Sequence, residues 1–220
     1  KYKMKKLIIS TLAVLALTTT AMATDLPNKK KAPEAKPVLV EKEVAKPAST
    51  DSLTVSYAQD LGNNFGAKVD DSYTVSYSHS LGGGFSVGGF VNPVQTTANA
   101  LKMNMEAQAG YKLPAFSGVT LGGKVGVGER FLTTGNFPYY ALYGTADYAV
   151  GGGFTINALQ YRYRNSFDPA TYSYESHQLK TGVTYDITSN YSIGVSVSRS
   201  YDNAWNATGD AIGGALTVKF

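Results

Sequence analysis

The sequence predicts an all-β fold, a transmembrane up-and-down antiparallel β-barrel of about ten strands. Three observations predict it. The chain opens on a leader-like segment. It continues as alternating apolar and polar segments broken by Gly, Asn and Asp. Its last strand ends on an aromatic residue.

The opening residues come first. Met4-Lys5-Lys6 is a short basic start, Leu7 to Leu17 an apolar run, and Ala21-Met22-Ala23 a small-residue site. That order is the pattern of a cleavable export signal. A retained span needs about 20 apolar residues, and this run is shorter. Residues 1–23 are expected to form the signal peptide, with cleavage after Ala23.

Residues 24–51 follow as a segment of Pro, Lys and Glu. Pro27, Pro33, Pro37 and Pro47 interrupt any helix or strand interior. Such a composition cannot bury enough apolar surface to order itself. It is expected to be a disordered periplasmic linker, with contact to the cell wall or an internal plug as its functional alternative.

Composition fits one domain at 52–220. The whole chain of 220 residues has 20 Lys and Arg against 16 Asp and Glu. The excess lies in the leader, at Lys1, Lys3, Lys5 and Lys6. Without it the chain is neutral, which removes the electrostatic footprint of nucleic-acid binding. There is no Cys, so thiolate metal sites and a disulfide scaffold are excluded. Gly at 23 and Tyr at 16 suit a barrel, where Gly permits tight turns and Tyr marks the headgroup level.

Ten alternating segments follow from Ser52 onward: 52–60, 72–80, 85–91, 101–113, 119–130, 139–150, 154–164, 174–187, 191–201 and 211–220. Most reach the 9–11 residues of a tilted spanning strand. The second, fourth, sixth and eighth connections are short and the others mostly longer, as in barrels with short periplasmic turns and longer outer loops. Ser52–Phe65 repeats as Ser72–Phe85 at an offset of 20 residues. If both copies turn alike, the count becomes twelve, with a strand from Val38–Val44. If the first hairpin stays out, it becomes eight.

Parity assigns the faces. Tyr73, Val75 and Tyr77 share one face, as do Met103, Met105 and Tyr111, then Val125 and Val127, then Ile193, Val195 and Val197. The opposite parity carries Lys102, Glu106, Lys112, Lys124, Lys180 and Asp186. A Lys or Arg facing mid-bilayer lipid costs about 2–4 kcal/mol, so these six are candidate lumen charges. Glu106 is expected to pair with Lys124 or Lys180 in a lumen largely filled by side chains. The alternative is a narrow polar pore for ions or small solutes. In 154–164 the polar Gln160, Arg162 and Arg164 share parity with Phe154 and Ile156, so a bulge is expected. Phe137, Tyr139, Tyr140, Phe167, Tyr172 and Trp205 are expected at an acidic outer rim. Arg199 is expected to snorkel toward lipopolysaccharide phosphates.

In the last strand Ile212, Leu216, Val218 and Phe220 share one parity. This resembles the C-terminal signal by which outer-membrane barrels are recognised for assembly. The resemblance implies the bacterial outer membrane, with its lipid and lipopolysaccharide as surroundings and the barrel assembly machinery as partner; the short turns and an even strand count give the expectation of periplasmic termini. The stretch after the leader, DLPNKKKAP, resembles that of alphaproteobacterial porins and small surface antigens of the Omp25/Omp31 type. The aromatic, Gly-containing motif that follows in those antigens has no counterpart here.

Catalysis needs a base beside a nucleophile and an orienting acid. His79 and His177 are the two histidines. Ser176 and His177 are adjacent and so point to opposite faces of a strand. A structural or surface-exposed barrel without cofactor or catalytic residues is the expected function, with a lipid-modifying enzyme as the remote alternative.

Overall fold

The computed structural model describes residues 51–96 and 100–220. The expected signal peptide, the linker up to residue 50 and the alternative strand at 38–44 lie outside the described residues.

Ten strands follow one another: β1 (Asp51–Leu61), β2 (Lys68–Gly82), β3 (Phe85–Thr96), β4 (Leu101–Lys112), β5 (Val119–Leu132), β6 (Gly135–Gly151), β7 (Phe154–Ser166), β8 (Ser176–Asp186), β9 (Tyr191–Tyr201) and β10 (Ala207–Lys219). Each pairs antiparallel with its neighbours, and β1 pairs with β10, closing the barrel. The seam runs from Ser52 opposite Lys219 to Leu61 opposite Asp210. Backbone bonds between Asp51 and Phe220, at 3.2 and 3.0 Å, extend it by one step. Closure leaves no strand edge exposed, which is what a sheet surrounded by lipid requires.

The count of ten settles the duplicated motif. Leu61–Phe65 turns at one end of the barrel, and Leu81–Phe85 turns at the other. We call these the loop end and the terminal end. The terminal end holds both Asp51 and Phe220 and the turns at Gly83–Gly84 and Gly152–Gly153. Gly83 and Gly84 adopt φ of 59° and 88°, the left-handed region where a side chain is costly.

The expected bulge lies in β7. Asn157 pairs with Gly182 but Gln160 pairs with Lys180, so one extra residue enters β7. Ala158 and Leu159 both face outward. Before the bulge Phe154 and Ile156 point out; after it Gln160, Arg162 and Arg164 point in. The extra residue is what resolves the parity conflict read in the sequence.

The fifth connection departs from expectation. In place of a long loop, β5 and β6 continue to a two-residue turn at Thr133–Thr134, with Leu132 opposite Gly135. Pro138 stands just beyond the last β6–β7 pair, Tyr139 with Ser166, an edge position that tolerates proline.

The exterior is apolar. Val55, Val75, Val127 and Val195 point away from the lumen and are 48–67% exposed. Aromatic pairs mark the two ends of this band. Phe85 with Tyr111 and Phe154 with Tyr185, each at 4.6 Å between ring centroids, stand at the terminal end. Tyr140 with Phe167, at 5.4 Å, stands at the loop end.

Candidate functional site

Alternation along ten closed strands sorts the charge. Among the described residues eight of the ten Lys and Arg occupy inward positions, against five of the twelve Asp and Glu. The lumen therefore carries an excess of cations, while the remaining acids lie at the lips and on the outer surface. The expected lumen charges Lys102, Glu106, Lys112, Lys124, Lys180 and Asp186 all stand on inward positions.

Their partners differ from expectation. Glu106 pairs with neither Lys124 nor Lys180. Its Oε2 lies 3.2 Å from Arg164 Nη2, and the two side chains are 0% and 6% exposed. Its Oε1 accepts hydrogen bonds from the Tyr143 hydroxyl at 2.6 Å and Gln108 Nε2 at 2.8 Å. Register explains the change. Glu106 stands opposite Gly128, so Lys124 sits four residues nearer the terminal end. The β7 bulge turns Arg164 inward at the height of Glu106. Gly126 leaves the room for Glu106, since a Cβ there would overlap its carboxylate. Lys102 lies 3.9 Å from Asp70, and Asp186 lies 3.3 Å from Lys219. Lys180 stands beside Gln160 and has no ion pair among the described residues.

Above this network the loop end is filled by rings. Tyr139 is completely buried and Phe137 nearly so, which corrects their expected place on the outer rim. Both sit on inward positions of the extended β5–β6 hairpin. Tyr174, from the β7–β8 loop, packs edge-on against Phe137 and Tyr139 at 5.3 and 5.4 Å. Arg130 lies 4.5 Å over the Tyr174 ring, and Arg164 lies 5.2 Å from the Tyr139 centroid. Cation–π attraction and the ion pair thus hold one plug drawn from β4, β5, β6, β7 and the β7–β8 loop. No motif in the sequence marked Tyr174 for this role.

Below the plug, toward the terminal end, the lumen widens. A cavity of about 420 Å³ lies against β1 to β5, lined by serines with Gln108, Lys112 and Lys124.

One further reading is corrected. Arg199 does not extend freely toward lipid phosphates: its Nε and Nη2 hold Asp210 bidentately at 2.6 and 3.0 Å. The Phe65 backbone N–H also donates to Asp210, at 2.9 Å, so the β1–β2 loop is tied to this pair. His177 belongs to an aromatic cluster. Its Nδ1 is 2.8 Å from the Tyr161 hydroxyl, and its ring stacks on Trp205 at 4.5 Å.

The barrel is similar to that of a KdgM porin, with 15% identity over 77% of this chain and 99% of that one, and a TM-score of 0.46. It is similar to an outer membrane channel from Pseudomonas putida F1, with 9% identity over 85% of this chain and 100% of that one, and a TM-score of 0.49. It is also similar to Neisserial surface protein A, with 14% identity over 79% and 97%, and a TM-score of 0.37. These likenesses concern barrel architecture alone. No protein-family model matches the chain, and no curated protein matches it.

Proposed function

We propose that this chain is a bacterial outer-membrane barrel with a structural or surface-exposed role, closed to solutes at its loop end by side chains and without catalytic activity. The observation that carries the reading is the buried Glu106–Arg164 pair beneath the Tyr139–Tyr174 stack. Small barrels have room for little beyond their own side chains, and here the loop-end half is occupied in that way. The apolar exterior supports placement in lipid, where each inward Lys or Arg at mid-depth avoids a cost of about 2–4 kcal/mol. The short turns at the terminal end support periplasmic termini. The outward row Ile212, Leu216, Val218 and Phe220 then faces the assembly machinery during insertion.

Heat-modifiable gel mobility and planar-bilayer recording test the reading. Unboiled protein is expected to migrate differently from boiled protein and to pass no steady current. Identical mobility overturns the barrel in membranes, and steady conductance by the wild-type chain overturns the closed lumen. The cavity below the plug favours one second reading, a narrow channel that conducts when the plug is displaced. Glu106→Ala is then expected to open it, and a variant as silent as the wild type removes that reading.

A further inference from the structure

The terminal-end cavity has a lining of one electrostatic kind. Lys112 and Lys124 point into it, with Gln108 and the hydroxyls of Ser52, Ser76 and Ser80 among its walls, and among the described residues no carboxylate lines it. The two lysines stand on adjacent strands. Lys124 is opposite Gly110, and Lys112 is opposite Gly122. Each glycine leaves the space its partner's stem occupies: a Cβ at Gly110 would fall 2.8 Å from Lys124 Cγ, and one at Gly122 would fall 3.3 Å from Lys112 Cγ. The stems therefore lie along the wall and the ammonium groups reach the open volume. Among the described residues neither ammonium has an ion pair. Glu106, the carboxylate on the same strand as Lys112, is already bound by Arg164, Tyr143 and Gln108.

Neighbouring like charges on a sheet repel unless a counter-charge sits between them. Among the described residues the cavity has two cations, several hydroxyl donors and an amide around open space; the acids that act on Lys124 are Glu106, already bound, and Asp147, which stands outside the lining and accepts from Asn157 Nδ2 at 3.0 Å. We infer that this cavity is a binding site for a small soluble anion, a carboxylate or phosphate compound that enters from the terminal end and bridges Lys112 and Lys124. A cavity of about 420 Å³ falls within the volume range of small-molecule sites. The source is soluble, because the cavity lies inside the barrel, whereas lipid contacts the outer wall.

The inference rests on the barrel reading, in which the blocked loop end makes this a vestibule and not a passage. Conductance tests the blockage and calorimetry tests the anion site, so either can fail alone. The experiment is a titration of the full chain, folded in a detergent without phosphate, with citrate, with inorganic phosphate and with glucose at constant ionic strength. Saturable heat is expected with at least one of the two anions and none with glucose. Lys112→Gln with Lys124→Gln is expected to weaken anion binding at least ten-fold. Lys68→Gln, whose lysine pairs with Asp71 at the loop end, is expected to leave it unchanged. Absence of saturable heat with both anions overturns the site. So does equal binding of glucose by the wild-type chain, or a folded double variant that binds as tightly as the wild type.

Discussion

Glu106 and Arg164, 58 residues apart in sequence, meet across the lumen at 3.2 Å and are both almost fully buried. Burying two charges is costly, and their attraction offsets the cost only while both are present. Glu106→Ala leaves the Arg164 guanidinium buried without its counter-ion. It is expected to destabilise the folded barrel by about 3–5 kcal/mol. Replacing both by Met is expected to recover much of that loss. Urea unfolding of the barrel in liposomes checks both values. A single variant as stable as the wild type would show that the pair contributes nothing.

Much of this arrangement was legible in the sequence because a barrel wall has period two. Parity alone separated Val195 and Val197 from Lys102, Glu106 and Lys124. The conflict of Phe154 and Ile156 with Arg162 and Arg164 located the bulge before any coordinates. Parity says which way a residue points but not at what height. Glu106 was therefore paired with lysines that stand nearer the terminal end or beside Gln160, and not with Arg164. The segments 119–130 and 139–150 stop short of the hairpin, because residues 131–138 carry no clear period two, yet pairing continues to Leu132 opposite Gly135. Tyr174 was read as the start of the segment 174–187, on the parity of Gln178 and Lys180, but β8 begins only at Ser176, so period two could not give the ring its contacts with Phe137 and Tyr139.

The exterior of β9 offers a test of the lipid-facing assignment. Val195 is 67% exposed near the middle of the strand. Val195→Arg is expected to cost about 2–4 kcal/mol in unfolding from liposomes. Ser76→Arg, on the lumen side of β2 and in the cavity wall, is expected to cost less. Equal costs for the two would mean that β9 does not face hydrocarbon.

Asp210 holds three donors, two from Arg199 and one from the Phe65 backbone N–H. The β1–β2 loop is therefore anchored to β10 through a carboxylate. A second tie is the bond from Asn63 Nδ2 to the Ala207 carbonyl, at 2.8 Å. Asp210→Ala removes the charged acceptor, and hydrogen bonds to charged groups are worth about 1.5–3 kcal/mol. Amide exchange at Phe65 is expected to accelerate by roughly ten- to a hundred-fold, as that energy implies. Unchanged exchange at Phe65 would mean that Asn63 and the turn itself hold the loop.

The β9–β10 loop outside the barrel wall provides a pH-dependent test. Asp202 accepts from Asn206 Nδ2 at 3.1 Å, and from the backbone N–H groups of Asn206 and Ala204, each at 2.9 Å. These bonds, the Asn206 side chain first, hold its carboxyl below the usual carboxylate range. A carboxyl lowered on folding stabilises the loop above its unfolded value, about 3.9. That contribution is lost as pH falls through the lower folded value. The Ala204 and Asn206 amide resonances are expected to stay constant from neutral pH down to about 4, then to move together with a midpoint below 3.9. Asp202→Asn is expected to remove this acid transition while leaving the β9–β10 ladder intact. A midpoint at or above the unfolded value would show that the three hydrogen bonds do not favour the ionised form.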